Sequence, residues 1–545
     1  MTLTETPTAQ HPRSRALRFA AACLLLAILY LPAAAQAQFT PQFTAFKQAV
    51  AETASEDEML AAFYRERDFA PLWTSAEDAE RRASFLASLS RASDHALPAR
   101  RYDLDGLKAD FHAVASERDR GLLEVRMSRT FLQYASDLHT GVLTPSRVLD
   151  TIKRQPPELD KAEMLARLGE GADPAAILRG VMPSAPEYSR LVRARMELQD
   201  QIARGGWGDP VPASRLDPGD TGSAVIALRD RLIAMGYMDR SAGASYDGML
   251  QEAVQRFQRA HGLDKDGIAG ERTLRAINVS ARERLRSVIV ALERERWLNL
   301  PRGERHIWVN MADFSSRIID NHQITFETTS IIGERRTNLQ TPEFSEDMTY
   351  MEINPDWTIP RSIIGRSYMA ALQANPHAHG QLQVIDSQGR VVDRSRVNFA
   401  AYSARNLPFK LRQPPGPSNP LGKVKFMFPN PYAIYLHDTP ERNLFNTSVL
   451  AHSNGCVRLE DPEEFAHILL APQVEDPKAH FDRIHRSGQQ TRVYLDTPVP
   501  THLVYRTAFT DVRGKMNFRD DVYSRDEAVI EALLSAGVEL NGLGS

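Results

Sequence analysis

Cysteine is nearly absent from this chain, which has only Cys23 and Cys456 among its 545 residues. A secreted fold that depends on disulfides needs several cysteines in pairs, so the chain is not a disulfide-stapled scaffold. A charge excess of one sign is also missing, because the formal net charge is only −3. Such a balance produces no strong field toward nucleic acid or anionic lipid, and we expect neither as a partner.

Apolar runs long enough to cross a membrane are missing too. The longest uncharged apolar stretch, residues 19–31, follows a group of arginines and precedes Ala35-Gln36-Ala37. This order is typical of a secretory signal, and the stretch is shorter than the roughly 20 apolar residues of a transmembrane helix. We therefore predict a signal peptide at 1–37 that is cleaved on export and takes Cys23 with it. No membrane span then remains; an uncleaved anchor is the alternative.

Hydrophobic periodicity divides the rest of the chain into segments of different character. Apolar residues recur at helical spacing before residue 205, and they alternate as in β-strands after residue 304, for example in VVDRSRVNF at 391–399. Gly- and Pro-rich stretches mark several boundaries. The sequence therefore predicts a multidomain α+β protein with a helical scaffold domain at 38–204, a compact three-helix module at 215–279, a connecting helix at 280–304, a mostly-β domain at 305–497 and a C-terminal segment at 498–545.

Cys456 has a neighbour in the sequence that suits nucleophilic chemistry. The β-rich run YAIYLH ends at His437, and a loop leads from there to Cys456. A free thiol has a pKa of about 8.5 and is mostly protonated at neutral pH, whereas a nearby imidazole lowers that pKa and takes the proton. Cysteine with histidine is the minimum for acyl transfer through a covalent intermediate. The sequence therefore predicts Cys456 as a nucleophile and His437 as its base.

The residues next to Cys456 fit the same chemistry. Ser453 and Gly455 belong to a predicted tight turn, in which a glycine lets the backbone fold closely and leaves N–H groups to face a developing oxyanion. Arg458 adds a positive charge that suits a carboxylate or an oxyanion. The motif DPEE at 461–464 has an N-cap aspartate, a proline at the first helical position and a following glutamate. It predicts a helix that anchors the loop directly after the nucleophile.

Other interpretations of this segment stay open at this point. His452 is closer to Cys456 in the sequence and is a rival base. A zinc site is another use of cysteine with two histidines, although the CxxC and HExxH spacings are absent. A papain-like protease has its cysteine before its histidine, and here the order is reversed. An inert buried cysteine is the simplest alternative.

The compact module carries a series of turn and core residues at fixed spacing. These positions are Gly219-Asp220-x-Gly222, Leu228, Gly236-Tyr237, Val254-x-x-Phe257-Gln258, His261-Gly262-Leu263, Asp266-Gly267 and Thr273-Leu274. With them the module closely resembles the small three-helix peptidoglycan-binding domain. Because turn and core residues indicate a fold directly, the ligand follows only by analogy.

The histidine and cysteine segments carry a longer pattern. It consists of YLHDTP at 435–440 and SNGCVRLEDP at 453–462, and it resembles the signature of the L,D-transpeptidase (YkuD) catalytic domain. Two other stretches, INPDWTIPRSII at 353–364 and PPGPSNPLGKVKFMFPNPYAIYLHDTP at 414–440, look like the large periplasmic (YcbB-like) branch of that family. Asn454 departs from the pattern, because many relatives carry histidine there.

The resemblance implies a reaction and a set of roles. Cys456 would attack a peptidoglycan tetrapeptide stem with His437 as base, and the thioacyl-enzyme would pass to a neighbouring stem, which gives a 3→3 cross-link. The partners are then stem peptides and glycan in the periplasm, with no metal or other cofactor, and residues 366–411 form a mobile lid. A carboxypeptidase, a D-amino-acid exchange enzyme and a non-catalytic wall-binding scaffold are the alternatives. The other residues implied in the site are Ser453, Gly455 and Arg458 at the oxyanion and substrate end, Tyr435 in the pocket wall, and Trp357 at the donor groove or in the core.

Overall fold

Amphipathic helices build the N-terminal part of the structure, as the apolar spacing predicts. The computed structural model describes residues 43–511 and 513–540, so the predicted signal peptide and Cys23 lie outside it. Apolar side chains such as Phe131 and Leu165 form a buried core between the helices. Within the described ranges, no helix is both long and apolar enough to cross a membrane. The helices are α1 (Ala45–Ala54), α2 (Glu58–Glu66), α3 (Ala79–Leu89), α4 (Leu104–Ala113), α5 (Glu117–Thr140), α6 (Pro145–Val148), α7 (Lys161–Gly169), α8 (Pro174–Val181) and α9 (Pro186–Ala203).

The small module folds as predicted and packs against the C-terminal segment. The ring of His261 stacks on Phe257 with centroids 3.7 Å apart and faces Phe518 at 5.8 Å. Arg519 Nη1 donates a hydrogen bond to Ala260 O at 3.0 Å. One face of the module is therefore covered by residues far away in the sequence. Its helices are α10 (Ser223–Ala234), α11 (Gly248–Ala260) and α12 (Glu271–Asn278), and its buried positions include Val225, Leu228, Leu232 and Val254.

The connecting helix, α13 (Ala281–Trp297), is buried all round near its end. Its four consecutive charged residues, 293–296, are all buried, and buried charges are tolerated when they are paired. Glu293 accepts a hydrogen bond from Leu143 N–H of the scaffold domain at 2.8 Å. Arg294 Nε forms an ion pair with Glu343 of the β-rich domain at 3.7 Å. The helix thus joins the two domains through its charged residues.

The rest of the chain forms strands with a few short helices, which confirms the predicted α+β organisation. The strands are β1 (Arg305–Asn310), β2 (Ser315–Asp320), β3 (Gln323–Gly333), β4 (Phe344–Ile353), β5 (Trp357–Thr358), β6 (Gln383–Ile385), β7 (Val391–Val392), β8 (Lys410–Gln413), β9 (Val424–Met427), β10 (Leu436–His437), β11 (Ala451–Ser453), β12 (Val457–Leu459), β13 (Thr491–Val504), β14 (Ala508–Thr510) and β15 (Met516–Phe518). The helices are α14 (Arg361–Ile363), α15 (Met369–Ala374), α16 (Pro462–Leu470), α17 (Pro477–Arg486) and α18 (Arg525–Ser535).

The largest sheet has the strand order β11-β3-β12-β10-β9-β4-β13-β1-β2, and β2 also pairs with β3, so the strands close into a ring. Apolar side chains on one face pack with Phe465 of α16 and Phe481 of α17. The register of β9, β10 and β12 brings charged side chains onto the other face. A chemical site on this sheet therefore belongs on that polar face.

A smaller sheet, with the order β5-β8-β6-β7, is inserted between β4 and β9. It has a core of its own, which includes Trp357, Leu372 and Leu411. We call the body from residue 357 to 413 the lid; it is wider than the segment 366–411 that the sequence suggests. A single turn of π-helix, Ile364–Tyr368, interrupts its first helical stretch, and such turns are frequent at functional sites.

The prediction of a strand over 391–399, which rested on alternating apolar residues, was wrong for most of that range. The strand β7 ends at Val392. The Asp393 side chain accepts a hydrogen bond from Ser395 N–H at 3.0 Å and starts a short 3₁₀ turn. Aspartate competes for the backbone in this way, and a local hydrogen bond therefore overrides the apolar alternation.

The C-terminal segment connects all parts of the molecule. Strand β13 continues to Val504, so the segment that was expected to begin at 498 starts inside the largest sheet. The strands β14 and β15 form a hairpin, and Val529 and Leu533 of α18 share a core with Leu285 of α13. The segment is thus an integral part of the fold.

Candidate active site

Three adjacent strands present charged and titratable side chains on the polar face of the largest sheet. Strands β10 and β12 are parallel, with His437 opposite Arg458. Strands β10 and β9 are antiparallel, with His437 opposite Lys425. Because register partners point to the same face, these three side chains form one row across the sheet.

Cys456 lies one residue before β12, beside Tyr435. Val457 N–H donates to Tyr435 O at 3.1 Å, and continuing the β10–β12 register by one residue pairs Cys456 with Tyr435. Side chains alternate between faces along a strand, so both share the face that carries His437. On this face Cys456 and His437 are diagonal neighbours, two positions apart in the register. The structure thus places the predicted nucleophile, directly before β12, and the predicted base, on β10, on the same face of the sheet.

The tautomer of His437 follows from its hydrogen bond. The ring is buried, and its Nδ1 contacts Asp438 O. A carbonyl oxygen can only accept, so Nδ1 carries the proton and Nε2 keeps a free lone pair. Burial, followed by the positive charge of Arg458, lowers the pKa of His437 to about 3. The side chain is therefore a neutral imidazole at neutral pH, with Nε2 as the basic atom.

The expectation that an imidazole lowers the pKa of the Cys456 thiol is not met. Burial raises this pKa, and hydrogen bonds from Tyr435 and the charges of Lys425 and Arg458 offset it only in part. The physical reason is that His437 is uncharged, and a neutral ring does not stabilise a thiolate by charge. At rest the thiol is therefore protonated, with Sγ donating to Ala433 O at 3.7 Å, and the imidazole is neutral.

Hydrogen bonds within residues 453–456, which we call the nucleophile turn, fix its backbone. Ser453 Oγ donates to Cys456 O at 2.5 Å and accepts from Gly455 N–H at 3.0 Å. Ser453 thus holds the turn from inside, and the N–H of Gly455 is already in use. Gly455 has φ +118°, and a Cβ there would lie 3.2 Å from Ile434 Cδ1. This is a position that favours glycine.

Arg458 is paired with a residue of the loop that follows β10. Its Nη1 forms an ion pair with Glu441, and it also contacts Thr439 Oγ1 at 3.4 Å. Its Nε is buried and has no partner among the described residues. Glu441 is exposed, so the pair can be exchanged for an anionic group of a ligand.

Tyr435 and Trp357 meet where the lid contacts the sheet. The pKa of Tyr435 is raised, first by burial and then by the charge of Cys456 and a hydrogen bond to it, while a hydrogen bond with Trp357 opposes this effect. Lys425 Nζ lies 4.4 Å from the centre of the Tyr435 ring. Trp357 itself packs in the lid core, one of the two positions that the sequence left open; a role at the donor groove stays a prediction.

The lid also contacts the nucleophile turn. Arg366 Nη2, from the π-helical turn, donates to Asn454 Oδ1 at 2.9 Å. Both side chains are exposed. Asn454, the position that departs from the family pattern, is thus a contact between the lid and the nucleophile turn.

His452, the rival base, and Asp461, the predicted helix cap, each contact a threonine hydroxyl. The ring Nε2 of His452 contacts Thr447 Oγ1 at 2.8 Å, in the exposed loop before the nucleophile turn. Helix α16 begins at Pro462 as predicted, but Asp461 does not cap it with its side chain. Its carboxylate instead accepts from Thr328 Oγ1 at 3.0 Å, because the side chain turns toward β3.

Two further side chains near the site were not predicted from the sequence. Lys425 lies opposite His437, and the alternation in its strand, VKFM, was the signal that could have placed it on this face. Thr341 contacts Gly455 O at 2.7 Å, but no local pattern connects two residues so far apart in the chain. In the part of the chain that the structure describes, no group of three or more His, Cys, Asp and Glu side chains has the arrangement of a metal site.

Models of three protein families match this chain. The model described as "L,D-transpeptidase catalytic domain" matches residues 304–499, which include all the candidate site residues. The model described as "Putative peptidoglycan binding domain" matches residues 221–277. The model described as "Scaffold domain" matches residues 58–194.

Single proteins also resemble the chain. A Haemophilus influenzae protein named "Putative L,D-transpeptidase" is 29% identical over 242 residues, which are 44% of this chain and 48% of that protein. The chain thus spans about half the length of the curated relative it matches. A crystal structure of an L,D-transpeptidase from Xylanimonas cellulosilytica is 15% identical, with 54% of this chain and 100% of that chain covered and a TM-score of 0.16. A TM-score this low supports no inference about the fold.

Proposed function

We propose that this chain forms 3→3 cross-links in peptidoglycan. Its residues 304–499 match an L,D-transpeptidase catalytic domain, and its residues 221–277 match a peptidoglycan binding domain. The reaction uses Cys456 as nucleophile and His437 as base. The donor is a tetrapeptide stem, and the acceptor is the amine of a neighbouring stem.

The first half-reaction breaks the bond to the terminal D-Ala. Cys456 Sγ attacks the carbonyl carbon between the third residue, an L-centre of diaminopimelate, and D-Ala. The thiol proton passes to His437 Nε2, and from there to the leaving amine of D-Ala. A C–S bond replaces the C–N bond, which leaves a thioacyl-enzyme.

The second half-reaction restores the enzyme. The acceptor amine attacks the thioester carbonyl, loses a proton to His437 Nε2, and forms the new amide. The thiolate leaves and takes that proton back. Arg458, whose ion-pair partner Glu441 is exposed, is suited to hold a carboxylate of the stem while the two chains exchange.

The single observation that carries this proposal is the sheet register. Extended by one residue, the register puts Cys456 on the face of His437, and the bond to Asp438 O leaves the Nε2 lone pair of His437 free to accept a proton; both features support the proposal. A structural cysteine needs no base with a fixed tautomer. The proposal follows from this arrangement together with the family match.

The identity of the acceptor distinguishes the proposed function from the catalytic alternatives. Water in place of the amine gives an L,D-carboxypeptidase, and a free D-amino acid gives an exchange enzyme, with the same Cys456 and His437. A non-catalytic wall-binding scaffold is the alternative outside catalysis. We favour cross-linking because a peptidoglycan binding domain in the same chain keeps a polymeric substrate near the site.

The place of action is also a proposal. A peptidoglycan substrate lies outside the cytoplasm, and the N-terminal sequence has the pattern of a secretory signal. We therefore propose export to the periplasm after cleavage near Ala37. The order of scaffold domain, module and catalytic domain favours the large periplasmic branch of the family.

The test compares the purified chain with Cys456→Ala on disaccharide-tetrapeptides, with the products identified by mass spectrometry. We expect the unchanged chain to release D-Ala and to give a dimer joined through two third residues. We expect the variant to lose at least about 10⁴-fold of this rate, since removing a nucleophile removes the covalent route. Equal thermal unfolding of the two proteins is the control for folding.

Each other product pattern selects a different function. A tripeptide without dimer identifies a carboxypeptidase, and incorporation of an added D-amino acid identifies an exchange enzyme. If neither protein changes the substrate although both bind sacculi, the chain is a wall-binding scaffold and the proposal is wrong.

A further inference from the structure

The peptide units around Cys456 are held in place, with one donor left over. Gly455 N–H donates to Ser453 Oγ, Cys456 O accepts from the same hydroxyl, and Val457 N–H donates to Tyr435 O. Gly455 O is held by Thr341. Among the described residues, the N–H of Cys456 has no partner. It is the peptide N–H of the nucleophilic residue itself.

Thr341 holds two backbone groups with one hydroxyl. Its Oγ1 accepts from Gly333 N–H at 2.9 Å and donates to Gly455 O at 2.7 Å. Thr341 is fully buried, at 0% exposure, so water does not compete for these bonds. The backbone passes so close here that a Cβ on Gly333 would lie 2.0 Å from Leu339 O. The backbone of Gly333 therefore packs directly against the segment that carries Thr341.

The bond from Thr341 decides where the Cys456 N–H points. In a planar trans peptide the C=O and the N–H point in opposite directions, so Gly455 O directed at Thr341 sends the N–H of Cys456 away from it. Gly455 is a glycine with φ +118°, and its flexible backbone permits the peptide to rotate. A bond to Gly455 O is what prevents that rotation.

We propose that Thr341 is a positioning residue that aims the Cys456 N–H at the oxyanion formed during acyl transfer. The inference rests on the proposed function, because it assumes that Cys456 attacks a carbonyl. A preorganised N–H of this kind stabilises the negative oxygen of the tetrahedral intermediate. Thr341 itself contacts neither substrate nor sulfur and acts through the peptide bond between Gly455 and Cys456.

The C-terminal segment supports Thr341 from behind. Tyr523 OH donates to Gly333 O at 2.6 Å, and Arg525 Nη2 donates to Thr341 O at 2.6 Å. Arg525 is fully buried and pairs with Glu343 at 3.2 Å. Both supporting residues lie beyond residue 499, where the match to the catalytic domain ends. The oxyanion donor is thus positioned by a part of the chain outside that match.

The test uses Thr341→Val, which keeps the side-chain shape, and Thr341→Ser, which keeps the hydroxyl. Two reagents report on Cys456. With p-nitrophenyl acetate, sulfur forms a bond to the acetyl carbon through a tetrahedral oxyanion, nitrophenolate leaves, and His437 takes the thiol proton. With iodoacetamide, sulfur displaces iodide directly and no oxyanion forms. The ratio of the two rates therefore isolates the oxyanion donor from the reactivity of the thiol.

We expect Thr341→Val to slow acylation at least about tenfold, toward the 10²- to 10³-fold cost of losing one oxyanion donor. Alkylation should stay within about twofold, and Thr341→Ser should restore acylation. Equal losses in both reactions, or no loss of acylation, would overturn the proposal. Where Thr341→Val fails to fold, Tyr523→Phe tests the same link and should lower acylation selectively, by a smaller factor.

The same proteins separate this inference from the proposed function. If the unchanged chain acylates Cys456 with the ester but releases no D-Ala from tetrapeptides, the proposed function fails and the role of Thr341 is still measured. If it releases D-Ala and Thr341→Val lowers that rate no more than it lowers alkylation, the proposed function stands and the positioning role is wrong.

Discussion

The nucleophile turn and the lid meet at Asn454, yet they are held in opposite ways. The turn is fixed by hydrogen bonds from buried groups, with Ser453 at 2% and Thr341 at 0% exposure. The lid has a core of its own, and its bond from Arg366 to Asn454 is exposed. Breaking a buried hydrogen bond leaves groups that water cannot reach, whereas an exposed one is exchanged for water at little cost.

This difference teaches how one site combines rigidity and access. An oxyanion donor must be in place before the reaction, because reorganising it costs free energy during the step. The proposed substrate, a peptidoglycan strand, needs a way in, so we expect the lid to belong to the less stable parts of the fold. We expect changes in the turn to affect chemistry strongly and changes at the lid contact to affect access weakly.

The largest effect after loss of the nucleophile is expected from His437→Asn. The amide nitrogen of asparagine can still donate to Asp438 O, but the basic Nε2 is gone. General-base catalysis contributes typically 10²- to 10⁴-fold, so kcat/KM for D-Ala release should fall by about that factor. His452→Gln, at the rival base, is the matched control and should stay within about twofold. A larger loss in His452→Gln than in His437→Asn would show that His452 is the base.

The pH dependence of alkylation measures the thiol itself. Since burial raises the pKa of Cys456, its thiolate fraction lies below that of a free cysteine at every pH under that pKa. The rate with iodoacetamide should therefore rise about tenfold per pH unit from 7 to 9. No inflection should appear between pH 6 and 7, because the pKa of His437 is about 3. A plateau already below pH 7 would indicate a thiolate–imidazolium pair instead.

Gly455→Ala tests the rigidity of the turn. Alanine at φ +118° is strained, and its Cβ would lie 3.2 Å from Ile434 Cδ1; strain of this kind costs about 1–3 kcal/mol. We expect a lower free energy of unfolding in urea and a slower acylation. Gly380→Ala in the lid is the matched control, because its φ is ordinary and nothing lies within 4 Å of the added Cβ. Equal effects of the two changes would remove the contrast between turn and lid.

Much of this fold could be predicted from the sequence, and less of the site. Apolar spacing predicts the helices and the strands from 305 onward because burial follows local periodicity, and Cys456 with His437 stands out by residue type. The cap at Asp461 and the strand after Val392 failed, since tertiary and local hydrogen bonds took those groups. Thr341 was missed because its bond to Gly455 depends on how two distant loops pack, which no local pattern encodes.

The smallest effect is expected at the contact between lid and turn. Arg366→Ala removes one exposed hydrogen bond, which is worth up to about 1 kcal/mol, so alkylation of Cys456 should speed up by no more than about fivefold. Asn454→Ala should do the same, and the double variant should be no faster than either single one, because both remove the same bond. Additive effects would mean that the two side chains act separately. A strong loss of D-Ala release in Arg366→Ala would show instead that this arginine binds substrate, and the lid would then belong to the chemical site as firmly as the turn does.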